Sequence, residues 1–288
     1  MIPENFEYCT PVSLSEAIGL LEKHGDEAKV LAGGHSLIPM MKLRLANPAA
    51  VIDIGRIPEL SYINEHDGHI RIGSLTTHQA IANAYSVQTK SRALAEAAEQ
   101  IGDIQVRNKG TIGGSLAHAD PAADYPAAIL ASGATIVAAG PKGDREIAAT
   151  DFFVDMLTTA LEQSEIIREI RIPVSKNVGG SAYAKLEQMA SGFAICGVAA
   201  YIEVDGDQIS KAAIGVTGVA PSAYRAKATE NALLGQISQE LETIRAAAVK
   251  ATDGIIALED IHASADYRLD LARIFTTRAI ETAIARAE

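Results

Sequence analysis

Apolar positions repeat at helical spacing near the start of the chain, where Leu14, Ala17, Ile18 and Leu21 share one face. Ser13 with Glu16 three positions on is a capping box that opens this helix, and Gly25 closes it. Shorter apolar runs follow, predicting strands over 28–31 and 51–54, with the turn Ala32-Gly33-Gly34-His35-Ser36 and a short helix over 40–45 between them. Beyond residue 57 the period alternates. Strands are predicted over 69–73, 135–139 and 166–172, and helices over 77–84, 92–101 and 124–131. A second glycine turn, Gly110-Thr111-Ile112-Gly113-Gly114, lies among them. The polar, glycine-containing stretch 174–180 reads as a linker. After it, strands over 181–186, 194–204 and 209–219, the last two joined by the turn Asp205-Gly206, predict an antiparallel sheet. Helices over 238–252 and 269–287 complete the chain, so the expected class is α+β.

Composition narrows the function classes. A chain of 288 residues, 48% of them hydrophobic, is long enough for more than one core, and the pattern divides it at 1–56, 57–175 and 176–288. No repeat runs along it. A formal charge of −11 argues against nucleic acid as a partner, because neutralising a phosphate backbone needs a surplus of Lys and Arg. Apolar runs such as 129–139 and 193–202 fall short of the roughly 20 residues that span a bilayer. The N-terminus has no signal-peptide pattern, so the expectation is a cytoplasmic protein that is not membrane-embedded. Cys9 and Cys196 cannot ligate an iron–sulfur cluster by themselves, and no His/Cys pair has zinc spacing in sequence, so no metal ligands are assigned and any redox metal is expected on another chain.

The chemistry lies in the glycine turns. Glycine after a strand admits positive φ and lets backbone N–H groups approach a ligand such as a pyrophosphate. In the first turn His35 and Ser36 follow the glycines; in the second Thr111 precedes and Ser115 follows, so two small, acid-free turns are suited to the two ends of a diphosphate. A strand, a glycine turn and Asp53 about 20 residues on also outline a Rossmann site. The fine pattern fails, since the third glycine is missing and Pro39 sits in the would-be helix, and Asp53 is better explained as a strand-end turn residue.

The stretches Ala32-Gly33-Gly34-His35-Ser36-Leu37-Ile38-Pro39 and Thr111-Ile112-Gly113-Gly114-Ser115 resemble the two flavin-binding motifs of the medium subunits of molybdenum hydroxylases, the carbon monoxide and xanthine dehydrogenase family. The resemblance runs from Ile2-Pro3 through Asp120-Pro121-Ala122-Ala123-Asp124-Tyr125-Pro126-Ala127 and Ile170-Arg171-Ile172-Pro173 to the C-terminal helices. It implies a two-subdomain FAD-binding fold of the PCMH or vanillyl-alcohol-oxidase type, followed by a three-stranded antiparallel sheet with a helical bundle. It also implies cofactor contacts at Ala32, Gly33, Gly34, His35, Ser36 and Leu37 and at Gly110, Thr111, Gly113, Gly114 and Ser115, with Ile101, Ala123, Asp124, Ile167, Lys185 and Phe193 around the rest of the flavin. From the residues alone, Asp124 is equally a helix cap, Ile101 and Phe193 are core, and Lys185 is a solvated charge. One stretch departs from the family: Ser191-Gly192-Phe193-Ala194 lacks the acidic residue that many relatives carry before the aromatic.

The implied activity is electron relay, with no catalytic acid or base on this chain. Electrons would pass from a molybdopterin cofactor on a large subunit, through 2Fe–2S clusters on a small subunit, to FAD here and on to an external acceptor. A dimer of heterotrimers is the expected assembly. The substrate, whether carbon monoxide, an aldehyde or an N-heterocycle, belongs to another chain. A free-standing flavin oxidoreductase and a flavin-free scaffold are the alternatives.

Overall fold

The computed structural model describes residues 2–287. Near the N-terminus, β1 (Glu7–Cys9), α1 (Leu14–His24), β2 (Ala28–Leu31), α2 (Leu37–Lys42) and β3 (Ala50–Asp53) build a small parallel sheet in the order β1-β3-β2. Ser13 caps α1 by accepting the Glu16 N–H at 3.2 Å, and Ala17, Ile18 and Leu21 bury against the sheet. The short helix starts at Leu37 rather than residue 40. Pro39 falls in its first turn, where backbone N–H groups have no intrahelical acceptor and proline removes nothing. Asp53 serves the turn: one carboxylate oxygen accepts the Gly55 N–H at 2.8 Å and the other the Tyr8 hydroxyl.

The middle of the chain is a five-stranded antiparallel sheet faced by short helices. In chain order it comprises β4 (Ile63–His66), β5 (His69–Gly73), α3 (His78–Asn83), α4 (Tyr85–Lys90), α5 (Arg92–Glu99), α6 (Ile104–Arg107), α7 (Ile112–His118), α8 (Tyr125–Ser132), β6 (Thr135–Gly140), β7 (Gly143–Ala148), α9 (Ala149–Phe152), β8 (Phe153–Asp155), β9 (Thr158–Thr159) and β10 (Ile166–Pro173). The sheet order is β4-β5-β10-β6-β7, and β8 with β9 forms a separate hairpin. The β4–β5 turn is Asp67-Gly68, both at positive φ, the conformation a tight hairpin of this twist requires. The second glycine stretch is not a turn. Thr111 caps α7, and Gly113 and Gly114 lie in its first turn.

The last part has β11 (Gly179–Glu187), β12 (Ala194–Asp205) and β13 (Gln208–Thr217) as its three long antiparallel strands, with a two-residue edge, β14 (Tyr224–Arg225). It adds α10 (Lys227–Leu233), α11 (Leu241–Ala248) and α12 (Ala265–Ala287). Both faces of this sheet are covered, which explains why β12 reads as a nearly unbroken apolar run. Cys196, Val198, Ala200 and Ile202 face the α12 side, whereas Ala199 joins the core around α8. Two glycines allow the contact on each face. A Cβ on Gly180 would stand 2.0 Å from the Ala283 carbonyl oxygen of α12, and one on Gly215 would stand 2.1 Å from the Ala127 carbonyl oxygen of α8. Helix α8 is therefore buried from Tyr125 to Ala131, with no wet side. Among the described residues no helix is long and apolar enough to cross a membrane.

Candidate functional site

The two glycine stretches meet. After β2 the chain passes through Ala32 and Gly33, turns at Gly34 with φ +78°, and enters α2. A Cβ on Gly33 would stand 2.2 Å from the Lys109 carbonyl oxygen and 2.8 Å from the Gly110 Cα, so only glycine permits this approach. Gly110 in turn makes room for His78, whose Nε2 would lie 2.4 Å from an added Cβ, and Gly113 for Ser74, at 2.5 Å.

Their backbone groups are used differently. The Ile112 N–H donates to Thr76 O at 3.1 Å, Gly113 to Ser74 O at 2.9 Å, Gly114 to Thr111 Oγ1 at 3.2 Å and Ser115 to Thr111 O at 3.0 Å. Among the described residues, the N–H groups of Gly33, Gly34, His35 and Ser36 have no acceptor. They belong to the wall of a cleft of about 650 Å³, a size that suits a cofactor.

That wall also holds Ala32, Leu37, Ile101, Thr111, Ser115, Ala123, Asp124, Ile167 and Phe193 together with Gly110, Gly113 and Gly114. All the residues expected at a cofactor are thus on one cleft, except Lys185. Lys185 stands behind Asp124, with its side chain buried: Nζ lies 2.8 Å from Asp124 Oδ1 and donates to the Gln100 carbonyl at 2.8 Å. A buried carboxylate needs a counter-charge, and this one holds the lysine away from the wall. The Tyr183 hydroxyl also donates to Asp124 Oδ1, at 2.7 Å. Asp124 makes no capping hydrogen bond to α8, so its carboxylate is turned from the helix end to these partners. Burial pushes its carboxyl up to about 6, and Lys185 and Tyr183 oppose the shift. Phe193, about half exposed, stands at the mouth.

Sequence reasoning missed Ser74, His78, Leu157 and Thr159 on the same wall. Ser74 Oγ is buried with no hydrogen-bond partner. His78 Nδ1 lies 3.0 Å from the Tyr125 hydroxyl, and burial, followed by electrostatic repulsion from His35 and Arg107, lowers its pKa to about 4, so the ring is neutral near pH 7. The available signal was positional: Ser74 directly follows the end of β5, and His78 directly follows Thr77, which caps α3 by accepting the Ala80 N–H at 3.3 Å.

Comparison with known proteins follows this geometry along the whole chain. The family model described as the FAD binding domain in molybdopterin dehydrogenase matches residues 4–175, and that of the CO dehydrogenase flavoprotein C-terminal domain matches residues 181–283. The chain belongs to this flavoprotein family. It is 42% identical over 286 residues to the carbon monoxide dehydrogenase medium chain of Hydrogenophaga pseudoflava, covering 99% of each. It is 34% identical over 281 residues to the glyceraldehyde dehydrogenase medium chain of Sulfolobus acidocaldarius, covering 98% of this chain and 99% of that one. In three dimensions it superposes on a chain of the Hydrogenophaga pseudoflava carbon monoxide dehydrogenase with a TM-score of 0.96 and 44% identity, covering 99% of both. Quinoline 2-oxidoreductase from Pseudomonas putida 86 gives a TM-score of 0.92 at 32% identity, covering 100% of this chain and 99% of that one. Membership makes this protein an oxidoreductase subunit of the molybdenum hydroxylase type, with FAD as its cofactor.

The residues present fit FAD. Four unaccepted N–H groups in a row suit a diphosphate, and the hydroxyls of Ser36 and Ser115 have no hydrogen-bond partner among the described residues. The orphaned Ser74 Oγ, buried at the cleft, adds a polar group that needs a partner.

Proposed function

We propose that this chain is the electron-transferring FAD subunit of a heterotrimeric molybdenum hydroxylase. Its partners in this reading are a large molybdopterin subunit and a small subunit with 2Fe–2S clusters, assembled in the cytoplasm as a dimer of heterotrimers. The observation that carries it is the meeting of a loop with free N–H groups and a glycine-opened helix start on one cleft of cofactor size.

When bound, FAD supplies the redox chemistry, exchanging electrons between the partner's clusters and an external acceptor. The chain's own residues bind and orient. The N–H groups of Gly33, Gly34, His35 and Ser36 face the diphosphate. Gly110 and Gly113 contribute by having no side chain, which makes room for His78 and Ser74 along the cleft. Asp124, held by Tyr183 and Lys185, offers carboxylate lone pairs to sugar hydroxyls, and Lys185 acts as its positioning residue. Ile101, Ile167 and Phe193 give the cleft an apolar wall for the ring system. Neutral His78 adds no charge below the loops.

The test is purification of the chain with and without its neighbours in the complex. One FAD per chain, seen by absorbance, and co-purification of the two partner subunits are expected. A preparation with no flavin bands after incubation with FAD favours a scaffold, and full substrate oxidation by this chain alone favours a free-standing oxidoreductase; either outcome overturns the proposal.

A further inference from the structure

Outside the cleft, the fold assembles a second cluster from residues that sequence spacing kept apart. Glu7 and Cys9 are two positions apart on β1, so both side chains leave one face of the strand. His24, the last residue of α1, reaches that face from the adjoining helix. Cys9 Sγ lies 3.7 Å from Glu7 Oε1, His24 Nε2 lies 3.9 Å from Glu7 Oε2, and one ligand atom from each residue falls within 4.8 Å of the others. His24 Nε2 is closed off from solvent and has no hydrogen-bond partner. A ring nitrogen in that state is destabilising unless something accepts or donates to it.

We propose that Glu7, Cys9 and His24 form a binding site for one zinc-like divalent cation. A thiolate, an imidazole and a carboxylate are a donor set for a borderline-soft ion, not for calcium or magnesium. Bond lengths of about 2.3 Å to sulfur and about 2.0 Å to nitrogen or oxygen put tetrahedral ligand atoms about 3.5 Å apart; Cys9 and His24 each already lie near that distance from one oxygen of the Glu7 carboxylate, and a rotation of that exposed side chain with a shift of at most about 1.3 Å between donors closes the set. Charges balance: Cys9 releases its Sγ proton to solvent, thiolate and carboxylate neutralise the dication, and neutral His24 donates a lone pair. Water takes the fourth position.

The location gives the site a purpose. β1 is an edge strand of three residues, paired among the described residues only with β3, in the smallest of the three cores. A metal joining β1 to the end of α1 ties this strand down where little apolar surface does so, as metals do in small folding units.

The experiment uses the full chain loaded with FAD and titrates Co²⁺ as a spectroscopic probe and Zn²⁺ as competitor. Thiolate-to-cobalt charge transfer at one equivalent, displaced by Zn²⁺, is expected, together with a rise in Tm on adding Zn²⁺. Cys9→Ser is expected to lose the charge-transfer band and the Tm rise, and His24→Gln to weaken cobalt binding at least about 10-fold; both keep wild-type FAD content, which shows that they fold. No thiolate band in the wild type, a band that survives Cys9→Ser, or an equal Zn²⁺ effect on Tm in all three proteins overturns the site.

Discussion

In the loop after β2, four consecutive N–H groups, from Gly33 to Ser36, have no acceptor among the described residues. At the start of α7 the N–H groups of Ile112, Gly113, Gly114 and Ser115 are all taken, by Thr76, Ser74 and Thr111. Both stretches carry a glycine pair with a serine within two positions after it, and the same residue type serves different ends. In the first, glycine frees the backbone to adopt φ +78° at Gly34 and present donors. In the second, it removes side chains that would strike Ser74 and His78, so that a helix fully bonded to its own domain can lie under the first loop. A glycine pair therefore marks a place where backbone comes close, and hydrogen-bond accounting decides whether it comes close to a ligand or to the protein.

The comparison breaks most completely at the point of contact. Gly33→Val drives a side chain into the Lys109 carbonyl and Gly110, and is expected to lower FAD affinity about 100-fold or more, equivalent to about 2.7 kcal/mol. Equilibrium titration of apoprotein with FAD measures it, and wild-type affinity in this variant would remove the diphosphate assignment.

Acid sharpens the contrast next, because His78 under the second stretch and Asp124 beyond α7 are buried and titratable. His78 has its folded pKa lowered from 6.5 to about 4, so its stabilisation is full above pH 6.5 and is lost as pH falls toward about 4. Asp124 has its folded pKa raised from 3.8 to about 6, so its stabilisation is full below pH 3.8 and is lost as pH rises through about 6. The two slopes oppose each other. Relative to wild type, His78→Gln should tilt the Tm profile downward with rising pH in that window, and Asp124→Asn should tilt it downward with falling pH. Calorimetric Tm values that shift in parallel in both variants would refute the pairing.

Smaller effects separate packing from binding. Gly113→Ala, crowding Ser74, is expected to destabilise the fold by about 1–3 kcal/mol in denaturant titration while FAD affinity changes little, since the Gly113 N–H faces Ser74 and not a ligand. Thr111→Ala removes the cap on Gly114 and is expected to lose about 1 kcal/mol in the same assay. A loss of FAD out of proportion to stability in either variant would show that α7 contributes backbone donors after all.

Much of the fold was legible because long periodic segments carry it. The capped helix α1, the strand β10 and the paired strands β11 to β13 follow from apolar spacing alone. The segments that escaped have other causes. β1 is too short for a period to register, and β8–β9 is a hairpin of five strand residues outside the main sheets. β14 exists only through pairing with β13 at Gly215 and Val216. At the cleft, glycines announce themselves by type, but Ser74 and His78 look ordinary in sequence and become notable through one lost partner and one buried ring. Lys185 shows the opposite limit: a residue type and strand position cannot reveal that a carboxylate elsewhere in the chain, Asp124, claims its charge.

Helix α8 has apolar contacts all round, with its Ala127 carbonyl pressed on Gly215 of the neighbouring sheet. Cutting the chain in the linker after β10 would leave the N-terminal fragment with a greasy cylinder facing water and the C-terminal fragment with one face of its sheet uncovered. The flavin-binding portion is therefore expected to aggregate when expressed alone. Swapping C-terminal modules between relatives would succeed only where the small residues at this seam are kept in register.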